Sequence, residues 1–144
     1  MAGVLLADQG TKAAVIRWLP QGQRVPVLGG WLHWTLVHNP GGAFGLFPGW
    51  SGAYLLVAVL ALGGAIWYLR QRPARVVQPW LGMIGGGVAG NLLDRLRWGA
   101  VVDFIDLGFW PVFNLADVAL VCGVMGMVWV TWRTSSAGRG ASDG

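Results

Sequence analysis

The sequence predicts an all-α integral membrane protein with four transmembrane helices, the first apparently truncated, and a small β-sheet platform at the membrane surface. Three observations lead to this prediction. The 144 residues are 55% hydrophobic and only 11% charged, a composition that favours one bilayer-embedded domain over a water-soluble one. Three apolar runs approach the ~20 residues that cross a bilayer core. A segment of different composition, with proline, glycine and alternating apolar residues, precedes them.

The first predicted helix is amino-terminal, and its length is unusual for a transmembrane segment. The run MAGVLLA before Asp8 is too short to span a bilayer, and the stretch from Met1 to Leu19 also contains Lys12 and Arg17. We therefore expect a truncated helix or one that enters the membrane partway. The stretch lacks the basic region and the long apolar region of a cleaved signal peptide.

The platform is predicted at residues 20–50. Within it, VPVL and WLHWTLV have the alternation and composition of short strands, so we expect a small sheet at the membrane surface. A second, shorter connection from Gly99 to Pro111 lies on the same side.

Three further membrane helices are predicted, at Ser51 to Leu69, Val77 to Leu93 and Val112 to Trp132. In the second of these, Gly82, Gly86 and Gly90 recur every fourth residue and predict a smooth face against a neighbouring helix. We expect one membrane-embedded domain over residues 1–134. The small, polar residues 135–144 are predicted to form a disordered tail.

The net charge of +4 does not indicate nucleic-acid binding, because the ten basic residues are scattered singly at the ends of apolar runs. Contacts with membrane lipids explain most of them. If the helices alternate, the two faces carry five basic residues each. The positive-inside rule decides only when Lys12 and Arg95 are set aside as candidate site residues; the loop from Arg70 to Arg75 is then cytoplasmic and the aspartates face outward.

The acidic residues are the main functional signal, because an ionised Asp at the bilayer centre costs about 2.5 to 3.5 kcal/mol. Asp103 and Asp117 fall at a similar depth near the outer surface. Two carboxylates in a poorly hydrated cleft share a proton, so that one can activate water as a base while the other polarises a carbonyl. A proton relay or ion site in a small transporter fits the same spacing equally well, and a non-enzymatic scaffold is a third alternative.

The other polar residues carry weaker signals. Asp94 stands beside Arg95 and is explained equally well as a paired acid at a helix end. Asp106 lies in a connection that water should reach, so no catalytic role is assigned to it. His33 and His38 lack a Cys or acidic partner at ligand spacing. We therefore predict no metal and no cofactor.

Five segments, in order along nearly the whole chain, together resemble the lipoprotein signal peptidases (signal peptidase II). They are DQGTK (Asp8 to Lys12), NPGGAFG (Asn39 to Gly45), GGVAGNLLDR (Gly86 to Arg95), GAVVDFID (Gly99 to Asp106) and FNLAD (Phe113 to Asp117). Two departures accompany the match. Only seven residues precede Asp8, where the family usually has about a helix-length of apolar sequence, and Gly42 stands where alanine is more usual.

The resemblance implies a four-helix membrane aspartic endopeptidase that cuts bacterial prolipoproteins before a diacylglyceryl-modified cysteine. The implied catalytic pair is Asp103 and Asp117. The implied site-supporting or substrate-binding residues are Asp8, Lys12, Asn39, Gly41, Asn91, Asp94, Arg95 and Asn114. The family's site opens on the extracytoplasmic side of the bacterial inner (cytoplasmic) membrane, and we expect a multi-pass monomer whose partners are the prolipoprotein and membrane lipids.

Overall fold

The computed structural model describes residues 1–41 and 51–140, with only the backbone given for residues 51 and 135–140. The described chain is mostly helical, with one small antiparallel sheet, as the sequence predicts. In chain order the elements are α1 (Ala2–Trp18), β1 (Arg24–Val27), β2 (Leu32–Asn39), α2 (Ser51–Arg70), α3 (Gln78–Trp98), β3 (Val101–Asp106) and α4 (Leu115–Gly140).

The sheet has three strands in the order β1-β2-β3. The two strands predicted in the platform are confirmed within one or two residues as β1 and β2. The sheet is not confined to residues 20–50, because β3 pairs with the free edge of β2, with Val37 opposite Asp103 and Asn39 opposite Val101. The connection predicted after α3 therefore supplies a strand. Residues 42–50 lie outside the described part of the chain.

Two helices in the described chain are long and apolar enough to cross a membrane, at Gly52–Arg70 and Leu115–Thr134. They coincide with two of the predicted spans. Only 6% and 28% of these two windows is buried, so most of their apolar surface faces outward. The crossing of α1 and of α3 stays a prediction. The backbone of α4 continues to Gly140, past the domain boundary predicted at residue 134, and residues 141–144 lie outside the described residues.

Helix α3 occupies the centre of the bundle and contacts α1, α2 and α4. Its glycines allow this close packing, as their recurrence at every fourth residue predicts. A Cβ atom at Gly86 would lie 2.7 Å from the Val4 side chain, and one at Gly87 would lie 2.9 Å from Leu120. At Gly90 a Cβ would collide with the Asp8 carboxylate. The glycine face thus lets α1 and α4 approach the part of α3 that carries polar side chains.

Gly90→Ala is expected to lower the free energy of unfolding by about 1 to 3 kcal/mol, because the added methyl overpacks the contact with Asp8. The measurement is thermal unfolding in detergent micelles. Gly64→Ala on α2 is the matched control, because nothing lies within 4 Å of a Cβ there. Equal unfolding temperatures for the two variants would contradict the packing argument.

Candidate active site

Asp103 and Asp117 reach one site from different elements, Asp103 from the middle of β3 and Asp117 from the first turn of α4. The chain enters β3 directly from α3 because Gly99 adopts a left-handed conformation, with φ 69°, that glycine accommodates without strain. Both aspartates line the same cavity of about 470 Å³. The structure therefore brings together the two carboxylates that the sequence predicts as a pair.

Asp103 is only 3% exposed, and both of its carboxylate oxygens accept hydrogen bonds. Its Oδ1 accepts a hydrogen bond from Asn114 Nδ2 at 2.7 Å, and its Oδ2 accepts one from Asn39 Nδ2 at 3.1 Å. Burial, together with the negative charge of Asp117, raises the pKa of Asp103 to about 7, although the two amides and Lys12 act in the opposite direction. Asp103 is therefore suited to carry a proton near neutral pH.

Asp117 and Asn114 form a reciprocal cap at the start of α4. Asn114 Oδ1 accepts the Asp117 backbone N–H at 3.0 Å, and Asp117 Oδ2 accepts the Asn114 backbone N–H at 3.2 Å. The sequence NLAD has the spacing of a capping box, in which two side chains three residues apart satisfy each other's free amides. The other oxygen of Asp117, Oδ1, accepts Asn91 Nδ2 at 2.8 Å. Helix capping thus fixes this carboxylate.

Behind the two carboxylates lies a buried charged cluster. Lys12 Nζ is 2.9 Å from Asp8 Oδ2 and 2.7 Å from Asp94 Oδ2, and it donates to Asn91 Oδ1 at 3.1 Å. The predicted polar pair of Asp8 and Lys12 therefore lies beside the site, joined by Asp94. The sequence leaves Asp94 open as a site residue or as an acid paired at a helix end. In the structure Asp94 is only 2% exposed and its ion pair is with Lys12 rather than with Arg95.

Arg95 connects α3 to the end of β2. Its Nη2 donates to Gly41 O at 3.2 Å, its Nη1 donates to Asn91 O at 3.3 Å, and its guanidinium lies 5.7 Å from the centre of the Tyr54 ring. Gly41 N in turn donates to Asn39 Oδ1 at 2.9 Å, which orients the Asn39 amide towards Asp103. Residues 42–45 of the NPGGAFG segment, Gly42 among them, lie outside the described residues.

The cavity combines a polar end with apolar walls. Its polar end consists of the two aspartates with Asn39, Asn91 and Arg95, and its walls include Val57, Ala58, Val112, Phe113, Leu120 and Val121. Two nearby carboxylates cannot both ionise easily, so they share a single proton. One can then act as a base on a water while the other acts as an acid, as acid–base hydrolysis without a covalent intermediate requires. In the described residues, His, Cys, Asp and Glu form no group of three that could hold a metal ion.

Sequence reasoning missed two residues at the site. Gln9 Nε2 donates to Asp94 Oδ1 at 2.9 Å, and Gln9 Oε1 accepts from Arg97 Nη1 at 3.0 Å; its place next to Asp8 in DQGTK was the available signal. Tyr54, beneath Arg95, carried no signal, because a tyrosine in an apolar run is ordinarily a packing or interfacial residue.

Asp106, to which no catalytic role was assigned, belongs to the sheet. It is only 6% exposed, so the expectation that water reaches it is wrong. It accepts hydrogen bonds from Arg24 Nε at 2.7 Å and Thr35 Oγ1 at 3.0 Å. Burial alone would raise the pKa of Asp106, but the hydrogen bonds from Gly108, Thr35 and Arg24 outweigh it and lower that pKa.

Comparison with known proteins gives one consistent family. Residues 1–133 match the family model described as signal peptidase (SPase) II. A lipoprotein signal peptidase of Pelotomaculum thermopropionicum is 46% identical over 94% of this chain and 90% of its own length. Those of Moorella thermoacetica and Mycobacterium avium are 43% and 44% identical, each over 88% of this chain and over 85% and 73% of their own lengths.

Two solved structures, each described as a bacterial membrane enzyme studied by the in meso method, have the same fold. The first superposes with a TM-score of 0.88 at 26% identity, covering 94% of this chain and 87% of the other. The second has a TM-score of 0.81 at 27% identity, covering 90% of this chain and 88% of the other.

The capping box at α4 predicts different costs for two substitutions at one position. Asn114→Ala removes the cap oxygen as well as the amide, whereas Asn114→Ser keeps a cap oxygen and loses only the amide. We expect the alanine variant to be less stable than the serine variant by about 1 kcal/mol, measured by thermal unfolding in micelles. Equal stability would show that the Asn114 side chain does not stabilise the start of α4.

Proposed function

This chain belongs to the signal peptidase II family and is therefore a peptidase, and we propose that it is an aspartic endopeptidase that removes the signal peptide from bacterial prolipoproteins. It cleaves before the cysteine that carries diacylglycerol. The observation that carries this proposal is the convergence of Asp103 and Asp117 on one cavity, with each carboxylate oxygen already held by a hydrogen bond from an amide.

The proposed reaction uses one proton shared by the two carboxylates. Asp103, with its raised pKa, starts protonated and donates a hydrogen bond to the carbonyl oxygen of the scissile peptide. Asp117 starts ionised and takes a proton from a water as the water oxygen attacks the carbonyl carbon. The tetrahedral intermediate then collapses, the C–N bond breaks, and the proton held by Asp117 passes to the leaving amine.

The apolar lining of the cavity fits a substrate that is itself anchored in lipid. Its apolar walls come partly from α2 and α4, the two helices that are long and apolar enough to span a membrane. An extended signal peptide can lie against these walls while the diacylglyceryl chains stay in the bilayer. Asn39 and Arg95 stand at the polar end, where peptide carbonyls and amides need partners.

The proposal extends to the arrangement in the membrane. We place all four helices across the bacterial inner membrane as a single domain over residues 1–134, acting as a monomer with its site on the extracytoplasmic side. Two observations support the crossing of α1 and α3 and the place of the sheet at a membrane surface. The charged side chains Asp8, Lys12 and Asp94 of α1 and α3 face each other inside the bundle rather than lipid, and exposed Trp18 and Trp31 lie near the sheet, as in an interfacial aromatic belt.

Asp103→Asn and Asp117→Asn are each expected to abolish cleavage of a diacylglyceryl-modified prolipoprotein, because the first removes the acid that polarises the carbonyl and the second removes the base that activates water. Asp106→Asn, a matched change on the same strand as Asp103, is expected to retain cleavage. The assay uses purified protein in liposomes with the lipidated substrate and its unlipidated counterpart. Cleavage of the unlipidated form at the same rate would contradict the proposed substrate class, and retained cleavage in either dyad variant would contradict the mechanism.

The pH dependence of cleavage follows from the raised pKa of Asp103. Below about pH 7 Asp103 keeps its proton and can polarise the carbonyl; above it Asp103 loses the proton and two negative charges face the substrate. The cleavage rate is therefore expected to fall as the pH rises through about 7. Initial rates measured alongside unfolding temperatures separate this effect from loss of the fold. A rate that is constant from about pH 6 to about pH 9 would contradict the acid role of Asp103.

A further inference from the structure

The buried ions behind the dyad form a unit that the proposed reaction does not use. The Lys12 cluster consists of Lys12 with its three partners Asp8, Asn91 and Asp94, all less than 10% exposed. In the described part of the chain, the partners of these three ions are one another, Gln9, Asn91 and backbone N–H groups rather than the side chains of Asp103 or Asp117. Two apolar helices need no such cluster to associate, since well-packed apolar residues often replace buried ions without loss of stability.

Both acids of the Lys12 cluster hold the backbone immediately before a catalytic residue. Asp94 Oδ2 accepts the N–H of Val102 at 3.1 Å, and Val102 precedes Asp103. Asp8 Oδ1 accepts the N–H of Ala116 at 3.0 Å, and Ala116 precedes Asp117. Because one ammonium group binds both acids, a chain of hydrogen bonds and ion pairs runs from the backbone of β3, through Lys12, to the backbone of α4.

The third arm of the Lys12 cluster sets the orientation of a side-chain amide. Lys12 Nζ and Asn114 Nδ2 both donate to Asn91 Oδ1, each at 3.1 Å, and Asn91 Nδ2 then points at Asp117 Oδ1 at 2.8 Å. A reversed Asn91 amide would place its N–H groups against the ammonium and its oxygen against the Asp117 carboxylate. The ammonium therefore keeps Asn91 in the orientation that donates to Asp117.

We infer that Lys12 is a positioning residue, which sets the separation and orientation of the Asp103 and Asp117 carboxylates and so controls the chemical step rather than substrate binding. This inference rests on the proposed function. The inference concerns three contacts of the Lys12 cluster together. The contacts of Asp94 with Val102 N–H and of Asp8 with Ala116 N–H place the two carboxylates, and the Asn91 amide orients that of Asp117. The charged groups around the dyad are Asp8 and Lys12 from α1 and Asp94 and Arg95 from α3.

Lys12→Met alone would leave two buried carboxylates unpaired, and loss of the fold would then obscure its effect on catalysis. The test is therefore the triple variant Asp8→Asn, Lys12→Met, Asp94→Asn. It buries no charge in the cluster, and its asparagine oxygens can still accept from Ala116 and Val102. What it loses is the ammonium that joins the arms and orients Asn91. Arg17→Met is the matched control, since Arg17 is an exposed cation on the same helix.

We expect the triple variant to unfold within a few degrees of the wild type and to keep KM within about twofold. Its kcat is expected to fall about 10- to 100-fold, because small displacements of catalytic groups slow the chemical step by such factors. The pH profile is a second readout. Loss of the Lys12 charge, which lowers the pKa of Asp103, moves the high-pH limb of the profile to higher pH. A longer distance between the two carboxylates weakens their coupling and moves that limb to lower pH, towards the low-pH limb. A narrower profile therefore reports the distance and not the lost charge. Arg17→Met is expected to change none of these quantities.

The outcomes separate the inference from the function on which it rests. A folded triple variant with the kcat and pH profile of the wild type would overturn the inference, and so would a raised KM at unchanged kcat. A triple variant that fails to fold would also overturn it, because the Lys12 cluster would then serve the fold itself. Failure of the proposed function looks different: the wild type would not cleave the lipidated prolipoprotein, or Asp103→Asn would still cleave it.

Discussion

The arrangement of the site depends on one interaction, the contact of one buried ammonium group with two buried carboxylates. Separating Lys12 from Asp8 or Asp94 would leave an ion without compensation in a medium that solvates charge poorly. This requirement keeps the three ions together between α1 and α3. It also explains why Gly90 stands where it does, since any side chain there would occupy the space of the Asp8 carboxylate. Apolar packing surrounds this contact and holds the helices together, while the contact joins the strand and helix ends that carry Asp103 and Asp117.

A second constraint is the need to satisfy backbone groups where the helices end and the sheet begins. The start of α4 is closed by Asn114 and Asp117, and by Asp8, which accepts the N–H of Ala116. At the second residue of β3, Asp94 accepts the N–H of Val102. Polar side chains at the site therefore also satisfy backbone groups at the helix and strand ends that carry it.

The sequence predicts the helical class, two spanning segments and the two platform strands, because each depends on local periodicity. Spacing alone leaves the role of Asp103 and Asp117 open, and their pairing is predicted through the resemblance of their two motifs to one family. It does not predict that β3 completes the sheet, since strand pairing depends on the free edge of β2 rather than on the sequence of residues 101–106. Nor does it predict the partner of Asp94. Arg95 is adjacent in sequence, but neighbouring residues on a helix point in different directions, and Lys12 of another helix lies within reach.

Asp117 combines two duties in one side chain, because one of its oxygens caps α4 while the residue also lines the polar end of the cavity. This has a consequence for inhibitors directed at the cavity. A compound that hydrogen-bonds to the polar end would contact residues whose replacement lowers the stability of the fold as well as the affinity for the compound. Resistance mutations there would therefore destabilise the protein. The apolar walls have no such double duty. Resistance would be expected to arise at positions such as Val57 and Val121, and durable inhibition to depend on the polar contacts.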